Sequence, residues 1–260
     1  MKKIIILTLS ISILFIVSCQ RNTASKPSQE DDYSYTESGV VTSGISTPGY
    51  TLRVSSGFYT ILGEDNGEET TRTRWASGIS LGESLMTGEI RRMTFDTGSV
   101  VQDWIAIRRD NGSTGWAIVS QVAAGGRLGV ITEDRAFLHT QPRTVDVSRF
   151  TLSRRSVIVF YPESENNGFV EVRGWDIERQ QYVQPNNNFV RLSAISRRDA
   201  DIQSAILLIT ALSLPEAEKA RRDNLLESAL LDYSDSIFYN EILAIANPNT
   251  SGVIDPHHGE

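Results

Sequence analysis

The chain has 260 residues, of which 40% are hydrophobic and 22% charged, and its formal net charge at pH 7 is -7. This composition is that of an ordinary globular protein, long enough for one to three small domains. The acidic balance argues against a nucleic-acid-binding protein, which would carry a basic patch or stripe.

The N-terminal segment has the layout of a secretory signal. Lys2 and Lys3 precede an apolar run over residues 4–17, which is shorter than the roughly 20 residues that a transmembrane helix needs. The four residues Ile16-Val17-Ser18-Cys19 resemble the lipobox of bacterial lipoproteins. This resemblance implies cleavage after the signal peptide (residues 1–18), acylation of Cys19 and attachment to a membrane.

The predicted processing changes the charge and removes the only thiol. Loss of Lys2 and Lys3 leaves 23 basic and 32 acidic residues, a formal charge of -9. An acylated Cys19 leaves no cysteine for a disulfide, a nucleophile or a metal site. Gln20 is not the aspartate that retains some lipoproteins at the inner membrane, which favours the outer membrane where two membranes exist.

Residues 19–48 predict a flexible tether, because they are rich in Ser and Thr and poor in large aliphatic side chains. Beyond them the pattern changes to short strands. Ser56-Gly57 is expected to form a turn, and Asn111-Gly112 is the strongest hairpin signal in the chain. Pro162 is expected to end the apolar strand over residues 157–161.

Two strand pairs predict an internal repeat. The segment 104–108 (WIAIR) parallels 169–173 (FVEVR), and 116–122 (WAIVSQV) parallels 189–195 (FVRLSAI). In each copy an aromatic residue opens the strand and apolar residues alternate. The second copy carries extra residues between its two strands, which are expected to lengthen the hairpin loop.

The repeated segments resemble bacterial SH3-like (SH3b) domains. Trp104-x-x-Ile107 followed by Gly115-Trp116-x-Ile118 is similar to the end of such a domain, and residues 81–83 (LGE) loosely match its leucine-x-x-glycine region. The second copy, whose opening strand is matched by residues 136–142, has Asn188-Phe189 in place of the Gly-Trp pair. The resemblance implies two small β-barrels and binding of extended peptides, as bacterial versions are associated with wall peptides.

The C-terminal part predicts about three short helices. Apolar residues recur at helical spacing over residues 199–213, and Ser213 with Pro215 and Glu216 predicts the capped start of a second helix. A third helix is expected over residues 237–246. The expected fold is therefore mainly β with an α C-terminal region.

The predicted organisation divides the chain into six consecutive parts. These are a signal peptide (1–18), a tether (19–48), two SH3-like barrels (49–125 and 126–196), a helical region (197–246) and a disordered tail (247–260).

Six aromatic residues are the candidate ligand-binding side chains. They are Trp75, Trp104, Trp116, Trp175, Tyr161 and Tyr182. Trp104 and Trp116 open strands, where a core position is the favoured alternative, whereas Trp75 and Trp175 are expected in loops.

Catalytic chemistry has little support in the sequence. His139 is expected to be a partly exposed strand residue. The adjacent His257 and His258 make an incomplete metal site. The carboxylates of residues 64–69 fall in one acidic loop, which suits a solvated loop better than a rigid acid–base pair. No metal ion or other cofactor is expected.

Three functional hypotheses remain open. The first is a non-catalytic lipid-anchored envelope protein that binds peptidoglycan or an envelope protein through its barrels. The second is a structural scaffold or assembly lipoprotein that acts through its C-terminal helices. The third is a wall hydrolase that uses carboxylates.

Overall fold

The computed structural model describes residues 44–61, 72–95, 101–183 and 187–248. In these residues two β-sheets are followed by three α-helices, which confirms the predicted mainly β fold with a helical C-terminal region. Several predicted features lie outside the described residues. They are the signal peptide, Cys19, most of the tether, the acidic loop, and His257 and His258.

The first sheet contains seven strands among the described residues. They are β1 (Thr47–Thr51), β2 (Ser56–Ile61), β3 (Arg72–Ile79), β4 (Ser84–Phe95), β5 (Val101–Arg109), β6 (Thr114–Ile118) and β7 (Val122–Ala124). The strand order is β3-β2-β6-β5-β4-β1-β7, and a parallel pairing between β3 and β4 closes five of these strands into a ring. Closure removes the exposed edges that an open sheet would present.

The second sheet contains the remaining eight strands of the described residues. They are β8 (Arg127–Ile131), β9 (Arg135–His139), β10 (Val147–Ser153), β11 (Val157–Asn166), β12 (Phe169–Asp176), β13 (Gln181–Val183), β14 (Phe189–Arg191) and β15 (Ile195–Ser196). Its order is β10-β9-β14-β12-β11-β8-β15, with β13 paired to β12. The extra residues of the second copy therefore form a short hairpin, β12–β13.

The two sheets repeat the same set of antiparallel pairings. In the first, β1 pairs with β4 and β7, β2 with β3 and β6, and β5 with β4 and β6. In the second, β8 pairs with β11 and β15, β9 with β10 and β14, and β12 with β11 and β14. We call these units repeat 1 (β1–β7) and repeat 2 (β8–β15).

The register of the strands is the same in both repeats. Trp116 lies opposite Tyr59 in repeat 1, and Phe189 lies opposite His139 in repeat 2. A 3₁₀ turn follows each of these strands, over Val119–Gln121 and Leu192–Ala194. The predicted equivalence of Trp116 and Phe189 is thereby confirmed.

A glycine that faces the last strand also recurs. A Cβ atom on Gly49 of β1 would lie 2.7 Å from the carbonyl oxygen of Ala123, and one on Gly129 of β8 would lie 2.8 Å from the side-chain Cγ2 of Ile195 and 3.3 Å from the carbonyl oxygen of Ser196. Both glycines stand at the same register position of their sheets. At both positions a larger residue would require the last strand or its side chains to move.

Apolar contacts join the two repeats to each other and to the first helix, α1 (Asp199–Ser213). Leu52 and Ala123 of repeat 1 pack with Val159 of repeat 2. Leu81 from the turn between β3 and β4 packs with Val157 and with Ile209 of α1. The helix therefore contacts both repeats.

The helices cover one side of repeat 2. Val130 of β8 is buried among side chains of α1, α2 (Lys219–Asp232) and α3 (Tyr239–Ala246). Arg155, between β10 and β11, pairs with Glu241 of α3 at 2.7 Å. The helical region and repeat 2 thus share a core. None of the helices in the described residues combines the length and apolarity that a membrane-spanning helix needs.

Four local predictions were wrong for identifiable reasons. Ile45 is buried and Thr47 and Pro48 belong to β1, so the end of the predicted tether is part of repeat 1. Ser56 and Gly57 begin β2, and the turn precedes them at Ser55, whose φ is 59°.

The other two concern a proline and a helix cap. β11 continues past Pro162 to Asn166, because a bulge follows Tyr161 and the Ser164 hydroxyl accepts the Glu171 N–H at 2.8 Å. Ser213 does not cap α2, since its hydroxyl donates to the carbonyl of Thr210 at 2.7 Å.

A buried carboxylate connects the end of repeat 2 with the helices. Asp201 of α1 accepts hydrogen bonds from the Ser196 hydroxyl at 2.5 Å and from the Ile237 N–H at 2.9 Å. We expect Asp201→Asn to lower the free energy of unfolding by about 1–3 kcal/mol, because a buried group loses a charge-assisted partner. Urea-induced unfolding measures this change.

Asp199→Asn is the matched control, since Asp199 is exposed in the same helical turn. A loss below about 1 kcal/mol is expected there, the scale of a helix-dipole interaction. Equal losses for the two variants would contradict the structural role of Asp201.

Candidate functional site

The six predicted aromatic residues lie in three different environments. Trp104 and Trp116 are in the core of repeat 1, Trp75 is on its surface, and Trp175, Tyr161 and Tyr182 are at the junction of the repeats. They therefore do not form a common binding groove. Each group has a separate physical role.

Trp104 and Trp116 occupy core positions, the alternative that their place in the strands favoured. Their exposed fractions are 0% and 5%. The indole N–H of Trp104 donates to the carbonyl of Met93 at 3.2 Å, and the ring of Tyr59 packs edge-on against it with centroids 4.8 Å apart. Neither tryptophan is accessible to a ligand, because the packing of repeat 1 encloses both rings.

Trp75 is the exposed aromatic residue of the set. It lies in β3 rather than in a loop, directly opposite Tyr59, and 62% of its side chain is exposed. An indole ring supplies a large apolar contact area with few rotatable bonds, which is why tryptophan is enriched at binding hot spots. Trp75 remains a candidate for ligand contact.

Trp175, Tyr182 and Tyr161 support the junction between the repeats. Trp175 and Tyr182 lie opposite each other on β12 and β13, and the guanidinium of Arg53 stacks on the Trp175 ring at 4.7 Å. The Tyr161 hydroxyl donates to the carbonyl of Ala124 at 3.3 Å. Since Arg53 and Ala124 belong to repeat 1, these contacts join the two units.

Repeat 2 presents a site at the position equivalent to Trp75. Val147 of β10 lies opposite His139, as Trp75 lies opposite Tyr59, and 51% of Val147 is exposed. The His139 ring packs edge-on against Phe169 with centroids 4.8 Å apart, which matches the contact of Tyr59 with Trp104. The two repeats therefore share the geometry of this surface and differ in its side chains.

A cavity of about 360 Å³ opens on this face of repeat 2. Its apolar walls come from Ala136, Phe137, Val147, Val190 and Ala194, and its polar lining from Glu133, His139, Thr144 and Arg191. Apolar walls with a few polar groups are typical of small-ligand sites, and the volume lies within their usual range. We call this feature the β9–β10 cavity.

His139 is buried, and not partly exposed as the sequence had predicted. Only 4% of its surface is exposed, and its Nδ1 has no hydrogen-bond partner among the described residues. A catalytic triad on this histidine is therefore absent from the described residues, since a triad needs a carboxylate on that ring nitrogen. A buried polar atom without a partner costs free energy unless a ligand or water satisfies it.

Exposed apolar side chains lie at and near the cavity. Phe137 and Val147 line it, and Val145 in the loop before β10 and Phe150 in β10 are also exposed. Exposed apolar surface of this kind commonly marks an interaction site. The sequence analysis did not identify these exposed side chains. The alternation of buried Ala136, exposed Phe137 and buried Leu138 is nevertheless the pattern that predicts a half-buried strand.

The described carboxylates do not form a metal-binding cluster. Across residues 44–61, 72–95, 101–183 and 187–248, three or more His, Cys, Asp or Glu side chains do not converge on a point. Asp176, which is buried, accepts the N–H groups of Glu178 and Arg179 at 3.0 and 2.9 Å and the Ser153 hydroxyl at 3.1 Å. These bonds fix the β12–β13 turn.

Comparisons with known proteins identify no family for this chain. No protein-family model matches it, and no curated protein matches it. A solved structure of NlpC2 from Trichomonas vaginalis is similar at 10% identity and a TM-score of 0.21, over 70% of this chain and 55% of that one. The chain thus spans little more than half of that structure, and similarity at this level supports no conclusion about function.

The junction tyrosines give the stability of the protein a pH dependence. Burial raises the pKa of Tyr161 to about 12, which the nearby Arg173 partly offsets, and burial also raises the pKa of Tyr182. The folded state therefore favours the neutral phenols. The contribution of Tyr161 to stability is complete below pH 10 and is lost as the pH rises from 10 through about 12, and the raised pKa of Tyr182 acts in the same direction.

We expect Tyr161→Phe to unfold with a shallower decline of stability above pH 10, because a group whose ionisation opposes folding is removed. Denaturant unfolding at a series of pH values from neutral to alkaline measures the slope. Identical slopes for the variant and the wild type would contradict the burial of Tyr161 at the junction.

Proposed function

We propose that this chain is a lipid-anchored, non-catalytic protein of the bacterial cell envelope that binds peptidoglycan through two SH3-like repeats. The main support for the proposal is a surface feature that the two repeats have in common. Both repeats expose a large apolar side chain at the same register position, Trp75 in one and Val147 in the other. A surface that recurs in two repeats with divergent sequences suggests a function beyond folding.

The signal segment supports the anchor. Cys19 follows an apolar run and a small residue, the pattern of a lipid-attachment site. Two or more acyl chains would hold the protein stably at a membrane. The outer membrane is the proposed location where the envelope has two.

The chemistry of the described side chains supports a binding role over hydrolysis. The two buried carboxylates of the described residues, Asp176 and Asp201, are occupied by hydrogen bonds that fix turns and helices. His139 has no carboxylate partner among these residues. A general acid–base pair needs a group whose protonation is free to change during the reaction.

The net negative charge of the protein limits which kinds of contact can provide affinity for the cell wall. A formal charge of -9 for the processed chain gives no long-range attraction to an anionic wall polymer. Affinity must therefore come from local contacts with the exposed apolar side chains. Recognition of peptide portions of the wall fits this requirement better than recognition of its anionic groups.

Co-sedimentation with purified sacculi tests the proposal. The chain from residue 20 onward, which lacks the lipid, is expected to bind saturably and with little dependence on salt, because apolar contacts dominate. Trp75→Ala is expected to weaken binding about tenfold, the effect of losing an interfacial hot spot.

Ile90→Ala is the matched control, since Ile90 is an exposed apolar side chain on β4 of the same repeat. Its affinity should equal that of the wild type. Absence of saturable binding at any salt concentration would overturn the proposal and favour an envelope protein as the partner, which cross-linking in cells would then identify.

The anchor has its own test in the Cys19→Ser variant. Because serine cannot receive the thioether-linked lipid, we expect it to lose incorporation of labelled fatty acid and to leave the membrane fraction. Cell fractionation with metabolic labelling measures both. A labelled, membrane-bound Cys19→Ser protein would show that attachment does not depend on this residue.

A further inference from the structure

Two hairpins of the described residues turn at the same dipeptide. Asn111-Gly112 lies between β5 and β6, Asn167-Gly168 lies between β11 and β12, and all four residues are exposed. In an Asn-Gly pair the backbone nitrogen of glycine can attack the asparagine side chain, because glycine has no side chain of its own to obstruct the approach. A third pair, Asn66-Gly67, lies outside the described residues.

The reaction is an intramolecular displacement followed by hydrolysis. The glycine nitrogen forms a bond with Cγ of asparagine, the Cγ–Nδ2 bond breaks, and Nδ2 leaves as ammonia with the proton of the glycine N–H. The resulting succinimide ring is opened by one water molecule at either of its two carbonyl carbons. One product is aspartate, and the other is isoaspartate, whose main chain runs through Cβ and Cγ. Water is the co-reactant, and no atom is oxidised or reduced.

The fold engages both reacting groups of Asn111-Gly112. The Gly112 N–H donates to the carbonyl of Arg109 at 2.9 Å. The Oδ1 atom of Asn111 accepts the Ser113 N–H at 3.0 Å and the Ser113 hydroxyl at 2.6 Å. The Arg109 N–H also donates to the carbonyl of Ser113 at 2.9 Å. Attack on Asn111 therefore requires several hydrogen bonds to break first.

The same groups are not engaged at Asn167-Gly168. Within the described part of the chain, neither the Asn167 side chain nor the Gly168 N–H forms a hydrogen bond. Their φ angles of 51° and 75° are those of a two-residue type I′ turn. One ladder pair, Asn166 opposite Phe169, separates this turn from the bulge that follows Tyr161. The turn therefore has fewer bonds to break before the nitrogen reaches Cγ.

We propose that Asn167 is a site of spontaneous deamidation in the folded protein, through a succinimide with Gly168, and that hydrogen bonding protects Asn111 from the same reaction. This modification is independent of the proposed function. The isoaspartate product adds one methylene group to the main chain of a two-residue turn. Because the Gly168 carbonyl accepts the Leu192 N–H at 2.8 Å, and Leu192 packs against the core of repeat 2, the change is expected to destabilise that repeat.

Peptide mapping by mass spectrometry measures each site separately. The chain from residue 20 onward is incubated at neutral pH and sampled over time. Deamidation at Asn167 is expected to be at least about tenfold faster than at Asn111, because one net hydrogen bond shifts an equilibrium by up to about tenfold. In denaturant, where neither hairpin persists, the two rates should converge.

Three outcomes of this comparison would overturn the proposal. They are the absence of deamidation at Asn167 in the folded protein, a rate at Asn111 that equals or exceeds that at Asn167, and a ratio of rates that denaturant leaves unchanged. The last result would assign the difference to the neighbouring residues in the sequence and not to the fold.

Ser113→Ala tests the protection directly. It removes the hydroxyl that bonds to Asn111 and leaves the β11–β12 turn unchanged. Deamidation at Asn111 should accelerate about two- to fivefold, the effect of one net hydrogen bond, while the rate at Asn167 stays that of the wild type. An unchanged rate at Asn111 would overturn the protective role of this hydroxyl.

Thermal unfolding tests the structural consequence. The isoaspartate form, separated from the unmodified protein by its added charge, should unfold about 2–4 °C lower, the shift for one lost hydrogen bond in a protein of this size. Asn167→Asp is the matched control, since it adds the same charge with an ordinary main chain, and aspartate tolerates the left-handed region. Its midpoint should stay near that of the wild type. Equal midpoints for the isoaspartate form and Asn167→Asp would overturn the proposed effect on repeat 2.

Discussion

Apolar burial between the two repeats and the first helix is the contact on which the rest of the structure depends. Leu52 and Ala123 meet Val159 in one cluster, and Leu81 meets Val157 in another, where α1 adds Ile209. Each fully buried aliphatic side chain of this size contributes roughly 1.5–3 kcal/mol. Small barrels have limited cores of their own, so these contacts turn two repeats and three helices into one folded unit.

This arrangement explains the positions of three of the six candidate aromatic residues. Tyr161, Trp175 and Tyr182 have the residue types of a binding groove, but a junction between sheets uses the same types, because their rings fill large volumes. The hydroxyl of Tyr161 reaches the carbonyl of Ala124, and Arg53 covers Trp175.

Sequence reasoning predicted the fold class, the repeat and the extent of α1, because these depend on local periodicity. The strand β3 went unpredicted, since residues 72–79 lack a run of alternating apolar side chains. The environments of Trp175 and His139 depend on side chains distant in sequence, Arg53 and Phe169, and a single sequence carries no signal for such contacts. The sequence therefore indicated which types of residue could contact a ligand, but it did not indicate where in the fold those residues lie.

The equivalence of the repeats identifies where their side chains diverge. Tyr59 and His139 occupy the same register position and make the same edge-on contact with an aromatic neighbour, at 4.8 Å in each case. The packing requirement is thus satisfied by either ring. In repeat 2 the imidazole keeps the edge-on contact, but its buried Nδ1 has no hydrogen-bond partner among the described residues, which costs free energy unless a water satisfies it. The difference between Tyr59 and His139 therefore preserves the packing of the aromatic pair and changes the polar group buried beside it.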